Sequence, residues 1–267
     1  MFESHIDRWR LTVDGEPFAT HSSQLLPVLS DGRPAMLKIS SDEAERAGGA
    51  LMEWWDGIGA ARVYAHDSDA VLLERAMGER SLLEMAMNGA DDIATHIICG
   101  TVAKLHAPRK RPQPQLIPLE RWFRELEPAA RAYGGVLSDC KVIADKLLAD
   151  NGDPVVLHGD IHHSNILDFE QHGWLAIDPK GLIGERGFDY ANIFANEDLP
   201  TISAPGRLQR QLRIVATEAA LQPKRLLQWI AAYSGLSAAW FLGDGSTALA
   251  QSPLAVARIA LTELQQA

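Results

Sequence analysis

The sequence predicts an α+β protein in two lobes, a small antiparallel sheet with one helix followed by a mainly helical part. Three observations predict it. Up to about Gly78 short apolar runs alternate with turn residues, from Ser81 the apolar spacing becomes helical, and one strand pair interrupts that helical half. The 267 residues suffice for two lobes with real cores, and 46% hydrophobic with 22% charged residues is the composition of a globular chain. The expected division is residues 1–78, an N-terminal lobe, and 79–267, a C-terminal lobe.

In the first lobe RWRLTV, LLPVL and AMLKIS read as strands, with turns at Asp14-Gly15 and Asp31-Gly32. A helix is expected from Asp42 to about Asp56, then strands ARVYA and AVLLER around the polar turn His66 to Asp69. In the second lobe Ser81 and Glu84 form a capping box, and Ile93, Ile97, Thr101, Val102 and Leu105 mark the apolar stripe of a helix that Pro108 ends. Arg109 to Pro118 is expected to be a surface loop. Helices follow near 118–132, 138–149, 207–220, 223–242 and 252–266, the last with Ser252 as N-cap and Pro253 at its first position.

The interruption is VVLHGDIHHSNILDFEQHGWLAIDP. Ile166 to Phe169 and Trp174 to Ile177 flank a polar turn and predict a β-hairpin, whose open end brings Asn165 and Asp178 together. Asp160 lies five residues before Asn165, on the loop leaving the apolar strand Val155 to Leu157. A carboxylate, an amide oxygen and a second carboxylate around one point are hard oxygen donors of the kind Mg²⁺ takes alongside phosphate oxygens. The spacing matches a kinase catalytic loop, which assigns Asp160 as catalytic base and Asn165 and Asp178 as metal ligands.

Phosphoryl transfer also requires a cation for the nucleotide phosphates. Lys38, closing the strand AMLKIS, is that candidate, with Glu45 as its helical partner and Glu43 as the fallback. VLLERAMG reads as the hinge, where the backbone of Arg75, Ala76 and Met77 would meet adenine. The phosphate-covering loop is expected within Thr20 to Pro27. It has no glycine, so neither a Gly-rich kinase loop nor a Walker A motif is present, and Ser22 and Ser23 with their backbone amides are the candidates to cover the phosphates.

A net charge of −10 argues against a nucleic-acid partner and suits a cationic small molecule, or serves solubility alone. No signal-peptide core and no apolar run of bilayer-spanning length stands in the sequence, so the expectation is a cytoplasmic protein without a membrane partner. Cys99 and Cys140 lie on helical segments without metal spacing and read as packing residues.

These residues resemble a family, the aminoglycoside phosphotransferases, and within it the streptomycin 6-phosphotransferases. LHGDIHHSN and WLAIDP carry the general likeness. RWRLTVDG, WWDG with GAARV, AKLHAPR, GLIGER followed by FDYANIF, and LSAAWFLGDG carry the narrower one, over nearly the whole chain to about Gly245. The resemblance implies a bilobal protein-kinase-like fold, ATP with Mg²⁺, and phosphorylation of the 6-hydroxyl of streptomycin, giving antibiotic resistance by a protein expected to be a monomer. It implies structural support of the catalytic loop by His158 and Asp189. Guanidinium groups on such a substrate ask for carboxylates, and Glu197, Asp198 and Asp244 are the candidates. Three other readings stand beside this one. His158, Asp160, His162 and His163 could be a metallohydrolase cluster, the chain could be a nucleotide-binding pseudokinase, or the acceptor could be another aminoglycoside, hydroxyurea or an amino alcohol.

Overall fold

The computed structural model of the chain describes residues 2–20, 23–40, 43–150, 152, 154–195, 199 and 201–266, and of residues 43–47 the backbone alone. The first lobe holds α1 (Glu3–Trp9), β1 (Thr12–Val13), β2 (Phe18–Ala19), β3 (Ser23–Ser30), β4 (Arg33–Ser40), α2 (Glu43–Trp55), β5 (Val63–His66) and β6 (Ala70–Glu74). Its strands form an antiparallel sheet in the order β1-β3-β4-β6-β5, with β2 pairing the other end of β3. Asp31 and Gly32 both adopt positive φ, 48° and 74°, which is what a two-residue hairpin needs to match the twist of its strands. Along β4 the period of two puts Ala35 and Leu37 on the buried face and leaves Met36 and Lys38 on the other.

The first segment departs from expectation. Arg8 and Trp9 end a helix instead of starting a strand, and the Asp14-Gly15 turn joins β1 to β2, not to a long hairpin. The reason is packing: Phe2, Ile6 and Trp9 lie against the small core of Leu11, Leu26, Val28, Ala35, Leu37, Ala70 and Leu72, and a helical period presents all three to it.

The rest of the chain contributes α3 (Leu82–Met85), α4 (Asp91–His106), β7 (Ile117–Pro118), α5 (Leu119–Trp122), α6 (Leu126–Tyr133), α7 (Val136–Ala149), β8 (Val155–Leu157), β9 (Ile166–Asp168), β10 (Trp174–Ala176), β11 (Leu182–Gly184), α8 (Gly187–Asn192), α9 (Arg207–Glu218), α10 (Pro223–Gly243) and α11 (Gln251–Gln266). The Ser81 hydroxyl caps α3 by accepting from Glu84 N. On α4 the buried face is Ala94, Ile98, Val102 and Leu105, and Ile93 is 57% exposed, so the apolar stripe is turned from its expected line. Buried Asp91 sets that rotation, because Arg207 of α9 grips both its oxygens at 2.9 Å. α10 is buried along most of its length, and Gly235 lets it approach α7 where any Cβ would stand 2.4 Å from that of Cys140. α11 begins at Gln251, which places Ser252 and Pro253 inside its first turn.

Two short strands were not anticipated. β11 pairs antiparallel with β8 and parallel with β7, a sheet that fixes the segment after Asp178 beside the catalytic loop. The larger core also reaches across the expected boundary at residue 78. Leu51, Met52, Trp54, Trp55, Ala60, Ala61 and Leu73 belong to it, and Trp55 Nε1 donates to Leu105 O at 3.1 Å. Residues 59–61 continue this junction by pairing with β10, Ala61 N donating to Ala176 O and Ala176 N to Gly59 O, each at 2.9 Å. Among the described residues no helix is long and apolar enough to cross a membrane.

Candidate active site

β8 delivers the chain into the loop 158–165, and β9 with β10 return it to Asp178. The hairpin closes as its alternation predicts, Trp174 facing Asp168 and Ala176 facing Ile166. At its open end Ile177 N donates to Asn165 O at 2.9 Å, so Asn165 and Asp178 meet. The Asn165 amide donates to Asp160 O at 2.9 Å and to Asp160 Oδ2 at 3.2 Å, which fixes the side chain and leaves its Oδ1 as the acceptor. Asp178 has φ +60°, a left-handed conformation unfavourable for a residue before proline, held by the pairing on either side of it. Lys38 Nζ donates to Asp178 Oδ1 at 2.7 Å across the two lobes, and the lysine is 6% exposed.

The loop is braced from below. Asp189, fully buried on α8, accepts from His158 N and Gly159 N at 2.8 Å each and from His106 Nε2 at 2.8 Å. His158 uses both ring nitrogens, Nδ1 accepting from Asp160 N at 3.2 Å and Nε2–H donating to Ile177 O at 2.8 Å. It ties the loop to the residue before Asp178 and stacks on Trp55, with centroids 6.0 Å apart. Burial pushes the His158 imidazole below its ordinary value, partly offset by Asp189 and Asp160, which suits this neutral tautomer. A histidine with both nitrogens spent in this way is not available to a metal. Among the described residues no group of three or more His, Cys, Asp and Glu is arranged to hold one, so the histidine-cluster reading has no geometric support.

A divalent ion fits the donors that do converge. The Asp178 carboxylate and the Asn165 amide oxygen are hard ligands in the small number that Mg²⁺ combines with phosphate oxygens and water, and Lys38 adds a cation for phosphate beside them. Asp160 is half-buried with carboxylate oxygens near two basic side chains: His162 Nε2 lies 3.9 Å from Oδ1 and Lys180 Nζ 3.6 Å from Oδ2.

The remaining candidates are placed less uniformly. Glu45 lies in α2 with its side chain outside the described part, as does Glu43. Ser22, Glu197 and Asp198 are outside the described residues. Ser23 corrects its expectation: it starts β3, is 5% exposed, and its N–H is spent on Thr20 Oγ1 at 3.2 Å, while its carbonyl accepts from Thr20 N at 2.9 Å. Thr20 thus shapes the turn, and Leu25 to Pro27 lie in β3, as the strand reading of LLPVL expects, which takes them out of the phosphate-covering loop. Asp244 is exposed after the last turn of α10 and has no hydrogen bond or ion pair to the catalytic loop among the described residues. Arg75, Ala76 and Met77 follow β6, with the Arg75 guanidinium on Asp14. Their path is set by Gly78, whose N–H bonds Asp168 O at 3.0 Å, and by Arg80, which forks onto both Asp168 oxygens at 2.6 and 2.8 Å. Sequence reasoning missed Thr20, Arg80, Asp168 and Lys180. Only the Asp-Pro-Lys run two residues past the metal candidate offered a signal for the last.

A sheet lobe and a helical lobe joined by this hinge, with a lysine on the sheet facing a loop Asp, an Asn five residues on and a second Asp after a hairpin, define a two-lobed, protein-kinase-like fold. The chain belongs to the aminoglycoside/hydroxyurea antibiotic resistance kinase family, whose profile matches residues 8–245. It is 51% identical over 245 residues to a streptomycin 3''-kinase of Klebsiella pneumoniae, covering 90% of this chain and 92% of that protein. With a streptomycin 6-kinase of Streptomyces griseus it shares 31% identity over 276 residues, 94% of this chain and 85% of the relative. The fold is shared with the solved structure of a thermostable mutant of aminoglycoside phosphotransferase APH(4)-Ia in complex with ADP and hygromycin B, at a TM-score of 0.70, 13% identity and coverage of 96% and 97% of the two chains.

Proposed function

We propose that the protein transfers the γ-phosphoryl group of ATP to a hydroxyl of streptomycin, with Asp160 as base, Asn165 and Asp178 as ligands of Mg²⁺, and Lys38 as the clamp on the nucleotide phosphates. The observation that carries the reaction is the convergence at one hairpin end of Asn165, bonded to Asp160, and Asp178, held by Lys38 at 2.7 Å. When bound with nucleotide, Mg²⁺ supplies charge neutralisation for the transferring group. The chain's own work is positioning. Asp160 receives the acceptor hydroxyl proton, Asn165 keeps its oxygen directed to the shared point, and the strained Asp178 backbone holds its carboxylate there. The hinge backbone at Arg75, Ala76 and Met77 meets the adenine edge.

The 51% identity with a streptomycin 3''-kinase supports streptomycin as acceptor and favours the 3''-hydroxyl. The 6-hydroxyl, expected from the sequence motifs, is the second reading, favoured by the relative at 31% identity that is a 6-kinase. A net charge of −10 suits a cationic acceptor.

The test incubates the purified protein with Mg-ATP and streptomycin, hygromycin B, hydroxyurea or choline. Mass spectrometry reads which compound gains a phosphoryl group, and phosphorus-proton correlation locates it. Phosphorylation of streptomycin at the 3''-oxygen is expected. A gain at the 6-oxygen would reverse the order of the two readings, and a gain on hydroxyurea or choline alone would refute streptomycin.

A further inference from the structure

We propose that Lys180 is a counter-ion handed from Asp160 to the phosphoryl group during transfer, and so a charge-stabilising residue of the reaction. The inference rests on the reading of Asp160 as base. Three features place this lysine. Its N–H donates to His158 O at 2.7 Å, and the next residue, Gly181, accepts from Ile117 N at 2.9 Å, so its backbone is pinned on both sides. Its Cβ lies 3.2 Å from where a Gly159 Cβ would stand, so Gly159, at φ +88°, provides the room for its stem over the catalytic loop. Its Nζ then reaches 3.6 Å from Asp160 Oδ2, with the side chain only 21% exposed. At that distance the contact is an ion pair longer than a hydrogen bond, and it does not lock the ammonium to the oxygen. The molecule therefore carries two lysines at the site, Lys38 on Asp178 and Lys180 on Asp160.

The charge balance of the reaction gives the second lysine its task. The acceptor oxygen forms a bond to the γ-phosphorus, the bond from that phosphorus to the bridging oxygen breaks, and its electron pair leaves on ADP. The hydroxyl proton passes to Asp160, whose carboxylate becomes neutral. The Asp160 carboxylate facing Lys180 loses its charge at the step that brings the phosphoryl oxygens to the acceptor, and the attraction the ammonium had for it passes to them. An interaction that strengthens only in the transition state raises kcat without tightening ground-state binding.

Lys180→Met keeps the length of the side chain and removes the charge. With Mg-ATP and streptomycin we expect kcat to fall about 100-fold, the loss typical of one preorganised electrostatic donor. Both KM values should stay within about threefold, and Lys180→Arg should recover part of the rate. A second readout needs no turnover. With streptomycin present, aluminium fluoride tightens Mg-ADP binding by mimicking the phosphoryl group in flight, and Lys180→Met should lose that tightening while binding Mg-ADP alone as the parent does. The proposal is overturned if Lys180→Met turns over within about threefold of the parent. It is equally overturned if Mg-ADP affinity and melting temperature fall together, which marks a brace of the loop. Asp160→Ala measured in parallel separates the failures. Full turnover there removes the base and the hand-over with it, whereas low turnover there with full turnover in Lys180→Met refutes the lysine alone.

Discussion

Asp189→Asn tests how much of the catalytic loop depends on one buried carboxylate. The side chain accepts three hydrogen bonds, from His158 N, Gly159 N and His106 Nε2, and it is fully buried. The amide keeps the shape, supplies one accepting oxygen and turns an NH₂ against the donors of the other. At least one backbone N–H is left unpaired and facing a donor in a site without water access. Each such loss costs about 1–3 kcal/mol, and with the donor-donor clash the total comes to about 3–5 kcal/mol. At roughly 2–4 °C per kcal/mol for a chain of this size, the melting temperature should fall by about 6–20 °C. His158 and Gly159 immediately precede Asp160, so kcat should fall about 100-fold even well below the melting temperature, since a small misplacement of the base is costly. Thermal melting followed by circular dichroism, with steady-state turnover at low temperature, measures both. A melting temperature within 2 °C of the parent, together with unchanged turnover, would refute the brace.

Lys38→Met removes the partner of Asp178 and should cost about 100-fold or more in kcat, read by coupled assay for ADP release. Gly78→Ala would place a Cβ 2.2 Å from Asp168 Cγ and disturb the Arg80 fork, so denaturant unfolding should show a loss of about 3 kcal/mol or more. Burial pushes the thiols of Cys99 and Cys140 up to about 12, so a chromogenic disulfide reagent should leave both untouched in the folded protein and titrate both in denaturant. Burial also holds His158 below its ordinary value, so the unfolded chain binds a proton that the folded chain refuses. Its contribution to stability is complete above the unfolded value of about 6.5 and declines as pH falls below it. Melting temperature against pH should show that decline, and a His158→Gln variant should flatten it.

The loop and hairpin were legible because their chemistry is local. Asp160, Asn165 and Asp178 lie within one short stretch, and the alternation of Ile166 to Phe169 against Trp174 to Ile177 alone dictates that its ends meet. Lys38 was legible from its place at the end of a strand, although its contact with Asp178 spans 140 residues. What escaped depends on partners that no window of sequence brings together. Arg80 and Asp168 are 88 residues apart, Arg207 and Asp91 116, and the latter pair turned the apolar face of α4. α1 was misread because Phe2, Ile6 and Trp9 acquire a common face only against a core formed by β3, β4 and β6. β7 and β11 have two and three residues and exist only through pairing with β8 and with each other. Lys180 is placed by that same pairing, and its meaning depends on Gly159, a glycine whose need is visible only in three dimensions.

The base assignment is tested most directly by comparing Asp160→Ala with the parent in both nucleotide binding and turnover. The account predicts that the variant melts normally and binds Mg-AMP-PNP with little change, while its turnover of streptomycin falls by about 10²–10⁴. Turnover close to that of the parent would show that the proton leaves by another route and that Asp160 is not the base.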